Sequence, residues 1–296
     1  MSDVLQKPAD RTDRDGHLDP AGFDQNVRFR IYPAPPELAP FIYHFWTIAW
    51  ERTGLPPYVS EQVQRRPYVD VFISEAESGV QCTFRNRRDY VAAGKGRIIG
   101  ARFLPGAFHA FWHWSMTGLH DQRLELERVF PEANEQFIKY VLSLEDEAAI
   151  AKMIELISTK HPVQDANIEL VNKVITIAEN KSVRTVKDVA KKMAKSERWV
   201  QQLFQEYVGV GIKWLLQRNR LLEAAEYIRQ SESPNWVKIA YELDYSSQQH
   251  FISDFKRVLG KTPRQYKREL NHTAPSIRLQ KDEVQTKRGD SNPANR

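Results

Sequence analysis

The pattern of apolar and polar positions changes character along the chain. Three short runs, "YVDVFIS" (68–74), "VQCTFRN" (80–86) and "GRIIGARFL" (96–104), are rich in β-branched and aromatic residues and bounded by Gly, Pro or charge. Such runs predict strands. Ahead of them, "FRIYPAPPELAPFIYHFWTIAWE" sets an aromatic run among prolines. "PGAFHAFWHW" (105–114) opens with Pro, which suits a first helical turn. From about 119 to 160 the spacing becomes helical, as in "EQFIKYVLSLEDEAAIAKMIELIS". "TKHPVQD" (159–165) breaks that period with Pro and polar residues and predicts a linker. From Ala166 to about Leu270 the helical period holds. Residues 1–25, Asp-rich and aperiodic, and the polar residues 271–296 are expected to be disordered. Two folded units follow, over 26–160 and 166–270.

The second unit repeats itself. Thr185 and Asp188 suit a helix start, and Val186, Val189, Ala190 and Met193 form an apolar stripe. A break falls at Ala194 and Lys195, and Ser196 is a good N-cap for a second helix. On that helix Val200, Leu203, Phe204 and Tyr207 take core spacing. Arg198, Gln201, Gln202 and Gln205 occupy another face, all polar and long enough to reach a base edge. A shift of fifty-one residues finds the pattern again: Ser247 caps, Phe251, Phe255 and Val258 turn inward, and Gln249, Ile252, Ser253 and Lys256 turn outward. Gly209 recurs as Gly260. These are two helix-turn-helix units. Between them "GIKWLLQRNRLLEAAEYIRQ" (211–230) predicts a helix of roughly 30 Å, close to the 34 Å or so between successive major-groove faces on one side of B-DNA.

Charge supports a polyanion partner for the second unit alone. Residues 171–270 hold 19 Lys and Arg against 11 Asp and Glu, whereas residues 1–170 hold 19 against 24. The 296-residue length suits about two domains. No apolar run approaches a membrane span, and the polar N-terminus lacks the apolar core of a signal peptide. With one cysteine, Cys82, no intrachain disulfide is available, so a cytoplasmic protein is expected.

Specific pieces of the second unit resemble the DNA-binding domain of AraC/XylS-type transcription regulators. They are Ala190 through Ser196 to Phe204, "RLLEAAEYI" (220–228), "IAYELDYSSQQHF" (239–251), "DFKRVLG" (254–260) and "TPRQYKR" (262–268). The resemblance covers about 100 residues and implies sequence-specific binding to double-stranded DNA. The family usually has Gly in the turn before each recognition helix, where this chain has Ala194 and Asp244. It also favours Arg where Gln202 and Ser253 stand. For base contacts we take Arg198 toward guanine, Gln201 and Gln249 toward adenine, Ile252 toward a thymine methyl, and Gln202 and Ser253 beside them. Lys195, Gln205, Lys256, Arg257 and Arg264 are assigned to phosphates, which fix register rather than sequence.

The front unit resembles a companion sensor domain of such regulators through "PPELAPFIYHFWTI" (35–48) and "GRIIGARFLPGAFHAFW" (96–112). The expected fold class is α+β: an N-terminal β-rich sensor or dimerisation domain with helices, then an all-α domain of two helix-turn-helix units joined by a linker helix. Among the front-half aromatics Phe45, Trp46, Trp50, Tyr58, Phe108, Phe111, Trp112 and Trp114, core packing and a pocket for an apolar or planar effector both remain open. Trp46, Tyr58, Arg102 and Trp112 are the ligand candidates. Arg102, inside an apolar strand, is expected to meet Asp70 or an anion. His109 and His113 stand four apart but lack the Glu of a zinc helix motif, so packing is the expected role and no metal or cofactor is assigned. "GKGRIIG" (94–100) mimics a phosphate loop but reads as a turn into a strand. Cys82 is expected to be a buried, inert thiol. No nucleophile–base pair is evident, so catalysis is not expected. A front half that only dimerises or contacts RNA polymerase is the alternative to a ligand sensor. Whether the chain forms a homodimer, and whether it activates or represses, is left open.

Overall fold

The computed structural model describes residues 16–273. The disorder expected over 1–15 and 274–296 lies outside the described residues. The front half runs α1 (Pro20–Asn26), β1 (Arg28–Tyr32), β2 (Ile42–Arg52), β3 (Tyr58–Gln62), β4 (Val69–Ser74), β5 (Gly79–Gln81), β6 (Arg88–Ala92), β7 (Gly94–Phe103), α2 (His109–Trp112), β8 (Arg123–Leu124), α3 (Leu126–Val129), α4 (Glu135–Ser143) and α5 (Asp146–Ser158).

Residues 16–25 correct the expectation of disorder. Asp19 caps α1 by accepting from the Gly22 N–H, Pro20 starts the helix, and Phe23 is buried with its ring 3.9 Å from that of His17. His17 bridges to Gln62 of β3. One anchored aromatic and a good cap suffice to hold an otherwise polar segment. The stretch expected to be helical from 119 to 160 holds β8 and three separate helices, and the strand expected over 80–86 ends at Gln81.

Strands pair antiparallel in the order β1-β2-β7-β4-β5-β8, and β3 and β6 form a separate pair. Because side chains alternate across a strand, the larger sheet has two different faces. Phe45, Val71, Ile73, Ile99, Ala101 and Phe103 join the core with the helices. The alternate set, His44, Trp46, Ile48 and Trp50 on β2 with Asp70 and Phe72 on β4, faces a cavity shared with β3, β6 and α1.

The rear half is helical: α6 (Ala166–Ala178), α7 (Val186–Met193), α8 (Glu197–Val208), α9 (Ile212–Gln230), α10 (Trp236–Glu242), α11 (Gln248–Leu259) and α12 (Pro263–Thr273). Its apolar side chains form two cores. The first gathers α6, α7 and α8 around Phe204, and the second gathers α10, α11 and α12 around Phe251 and Phe255. Helix α9 belongs to both, with Ile212, Leu215 and Leu216 in the first and Leu221, Ala224 and Ile228 in the second. Fully burying each of these leucines and isoleucines stabilises the fold by about 1.5–3 kcal/mol. The spacer is therefore a structural beam rather than a tether.

Candidate DNA-reading surface and front-half cavity

Helix caps fix both reading helices. Thr185 and Asp188 form a reciprocal capping box at the start of α7, with Asp188 N to Thr185 Oγ1 at 3.1 Å and Thr185 N to Asp188 Oδ2 at 2.9 Å. The Thr185 hydroxyl, then the Thr185 and Arg184 N–H groups, donate to the Asp188 carboxylate and hold it below its usual range. Ser196 caps α8 through Trp199 N, and Ser247 caps α11 through His250 N. Ala194 and Asp244 both adopt left-handed backbones, φ 53° and 56°. The second turn is one residue longer. Lys195 N returns to Ala190 O and Tyr245 N to Ala240 O, an offset of 50, while Ser196 and Ser247 differ by 51.

On α8 the side chains of Arg198, Gln201 and Gln202 are exposed along one face. Gln205 is half-buried, its amide donating to Gly209 O at the helix end. It lies on the same stripe as the other three, nearer the end of the helix, and its main-chain carbonyl accepts from Thr117 Oγ1 of the front half at 3.4 Å. On α11 Gln249 and Ser253 are exposed, while Ile252 is partly covered by the second core. Lys195, Lys256 and Arg264 are exposed at the margins, with the Lys195 ammonium 5.2 Å from the Trp199 ring. Arg257 is exposed and pairs with Asp254 at 3.0 Å. At 1.5 Å per residue, α9 spans about 28 Å.

The front half grips the far ends of both reading helices. Gly209 and Gly260 terminate them with φ 79° and 77°. Against Gly209 lies the 113–121 loop, where Met116 N donates to Glu206 O at 2.9 Å and His120 Nδ1 lies 3.1 Å from Gly209 O. Against Gly260 lies the 83–88 loop, where Arg87 N donates to Val258 O at 3.1 Å. Both loops thus supply backbone donors to carbonyls that a helix end leaves without partners. The loops are also tied together: Arg85 N and Nε each reach the Asp121 carboxylate at 2.7 Å, and Asp121 N donates to Thr83 O at 2.7 Å. These bonds hold the Asp121 carboxyl low against the opposing effect of burial.

Between the two grips, Arg218 of α9 enters the front half. It is 1% exposed, donating Nε to Gln64 O and Nη1 to Arg85 O at 2.9 Å, with its guanidinium 4.9 Å from the Trp214 ring. Burial brings its pKa down to about 9, outweighing the opposing pull of the Asp121 carboxylate. Lys261 reaches Glu61 at 2.6 Å, Arg66 pairs bidentately with Glu179 at 2.6 and 2.7 Å, and Asn172 donates to Pro105 O at 3.0 Å. Neither Arg218 nor the backbone donors carried a sequence signature, since their partners are main-chain carbonyls.

The front-half cavity has a volume of about 400 Å³. Trp46, Tyr58 and Arg102 line it. Trp112 does not: it lies in the helical core on the other side of the sheet, under the Arg128 guanidinium at 5.1 Å. The aromatic list had pooled two faces, and Phe45, Phe108 and Phe111 belong to the core with Trp112. Trp114 is exposed. Sequence reading missed His44, Phe72, Arg88 and Tyr90 in the cavity wall. The usable signal was alternation: residues 44, 46, 48 and 50 share one face of β2.

Arg102 meets Asp70 through two hydrogen bonds of 2.8 and 2.9 Å, beneath the Tyr68 ring. It also borders a second space of about 550 Å³ between the halves. Burial, with Arg102 adding to it, lowers the His44 pKa to about 3, so this imidazole is neutral at ordinary pH. Cys82 is buried and its thiol is pushed up to about 12 by burial. His109 stacks on Tyr207 with centroids 4.2 Å apart, and α2 ends before His113.

Two helix-turn-helix units on a shared helix, each with an exposed polar reading face, define a DNA-binding domain. Residues 189–269 match the family described as Helix-turn-helix domain, and residues 30–125 match Domain of unknown function (DUF6597). Regulatory protein SoxS of Salmonella typhimurium is 35% identical over 82 residues, which are 28% of this chain and 76% of SoxS. The chain belongs to the AraC/XylS-type transcription regulators. It is also 32% identical over 83 residues to YkgA of Escherichia coli, and 39% over 72 residues to the F1 operon positive regulatory protein of Yersinia pestis. The matches span 28% and 24% of this chain, and only 34% and 24% of those two proteins. Among solved structures, an AraC-type regulator of Chromobacterium violaceum is 23% identical, with TM-score 0.32 over 35% of this chain and 92% of that one. ToxT of Vibrio cholerae is 10% identical, with TM-score 0.34 over 82% of this chain and 98% of that one. No helix among the described residues is long and apolar enough to cross a membrane.

Proposed function

We propose that this regulator acts in the cytoplasm as a one-component switch that binds DNA rather than catalysing a reaction. The exposed faces of α8 and α11 read one duplex site, and the front-half cavity takes a small-molecule effector. The observation that carries the reading is the double grip at Gly209 and Gly260. A domain that only tethers or dimerises has no need to hold the caps of both reading helices.

The same grip supplies a route for the signal. Arg88 lines the cavity and donates Nη2 to Asp121 O at 2.8 Å. Asp121 joins the loop on Gly209 to the loop on Gly260 through Arg85. A ligand that engages Arg88 changes the geometry at this joint, and hence the relative placement of the two reading helices. Such coupling requires unequal ligand affinity for the two arrangements. Contacts with RNA polymerase, and pairing into a homodimer, would act downstream of this step.

The test is selection of genomic fragments by the purified full-length chain at two salt concentrations. The expected result is one motif of about two helical turns that survives the higher salt. Enrichment without a motif, collapsing steeply with salt, would show phosphate-dominated binding and overturn the reading.

A further inference from the structure

Strand register sorts the cavity floor into two rows. Trp46 pairs with Gly100, and Gly100 pairs with Phe72, which pairs with Gly79. This row alternates aromatic with glycine. A Cβ at Gly100 would fall within the Trp46 ring, and one at Gly96 within the Trp50 ring. Both indoles therefore lie across glycine shelves of β7, which is the use the fold makes of "GKGRIIG". Two residues along each strand, roughly 7 Å away, runs a polar row. There His44 pairs with Arg102, Arg102 with Asp70, and Asp70 with Gln81.

Chemistry along the polar row is uneven. Arg102 is matched by Asp70, and Arg123, also lining the cavity, is matched by Glu77. Arg88 donates to Gln81 Oε1 and to Asp121 O, both neutral oxygens. Among the three cavity-lining arginines it alone has no ion pair with a carboxylate among the described residues. In the aromatic row, the Trp46 side chain is buried and its indole N–H has no acceptor among the described residues. A buried donor without a partner disfavours the empty site and favours an incoming oxygen.

We infer that the cavity binds a planar aromatic acid, its ring on the Trp46–Phe72 row and its carboxylate at Arg88. This inference rests on the cavity being the effector site. The flat shelf selects a plate over a flexible chain, and the unmatched guanidinium selects an anion over a neutral analogue. The ligand's acid then lies on the residue that holds Asp121, the joint of the two loops.

Calorimetric titration of the full chain with 2-naphthoate, 2-naphthalenemethanol and decanoate tests it, alongside DNA affinity with each compound. The expected result is 2-naphthoate binding one per chain, at least tenfold tighter than the other two. Arg88→Gln should abolish the advantage of naphthoate over the alcohol, whereas Arg88→Lys, which keeps the charge, should retain part of it, with circular dichroism showing that both variants are folded. Equal wild-type affinities for naphthoate and the alcohol would overturn the role of Arg88. Decanoate binding tightest, with a shift in DNA affinity, would overturn the aromatic class and leave the sensor reading standing. If no probe binds, and no low-molecular-weight cell fraction shifts DNA affinity, both fail.

Discussion

Gly209 and Gly260 close the two reading helices with near-identical left-handed backbones; a front-half loop buries Gly209, and another lies beside Gly260 and leaves it exposed. Their neighbours differ in stiffness. A Cβ at Gly209 would run into the main-chain carbonyl of Met116, whereas one at Gly260 would meet the Arg87 side chain at 2.8 Å. The left-handed backbone alone costs a non-glycine residue about 1–2 kcal/mol at either site. Gly209→Ala should therefore destabilise the chain more than Gly260→Ala in urea titrations, because a side chain can move aside and a backbone cannot. Equal losses would show that the 113–121 loop is not seated as described.

Ala194 is the reverse case, since its φ of 53° would suit glycine and its surroundings are exposed. Ala194→Gly should raise stability by about 1 kcal/mol. Asp244→Gly should gain less, because Asp tolerates this backbone better. A loss of stability in Ala194→Gly would mean that helix propensity outweighs backbone strain at that turn.

Contacts to bases and to phosphates separate by their salt response. Arg198→Ala or Gln249→Ala should cost about 1–3 kcal/mol on the preferred site and relax selectivity at one position. Lys256→Ala should weaken binding to all sequences alike and lower the salt slope by about 1. Titrations on the selected motif and on a scrambled duplex, at several salt concentrations, distinguish the two behaviours. A Lys256 variant that changed base preference would move that residue out of the phosphate set.

Arg218 joins the beam helix to the front half through the main-chain carbonyls of Gln64 and Arg85. Arg218→Met should remove about 2–3 kcal/mol by leaving Gln64 O and Arg85 O without this buried donor. Limited proteolysis should then cut faster in the 159–165 linker. Unchanged stability would mean that the buried charge costs as much as its hydrogen bonds return.

His44 sets an acid limit. Its folded pKa of about 3 lies below the ordinary 6.5, so its stabilising neutrality is complete above pH 6.5 and is lost as pH falls toward 3. Within that window this group removes about 1.4 kcal/mol per pH unit. His44→Gln should flatten the stability profile between pH 6 and 4 as followed by denaturant midpoints. An unchanged slope would place the acid sensitivity elsewhere.

The rear half was legible because its signals are local. Ser196, Ser247 and the Thr185–Asp188 pair mark helix starts, and Phe204 and Phe255 mark inner faces, each within a few residues of sequence. The front half was less so. Trp46 and Trp112 look alike in sequence, and only strand alternation and helix packing put them on opposite sides of one sheet. Arg102 could be matched to Asp70 because a lone charge in an apolar strand needs a partner. The Met116 and Arg87 donors are main-chain groups with no side-chain signature, so the grip on the reading helices emerges only once the chain is folded.

The longer second turn, Asp244 to Ser247 against Ala194 to Ser196, has a further consequence. The extra residue seats α11 on α10 differently from α8 on α7, so the two units are not interchangeable even before their side chains differ. A duplex turned end for end would meet the wrong unit at each groove. The protein therefore has a heading on DNA, and a promoter that carries its site reversed presents a different edge of the regulator to whatever lies downstream.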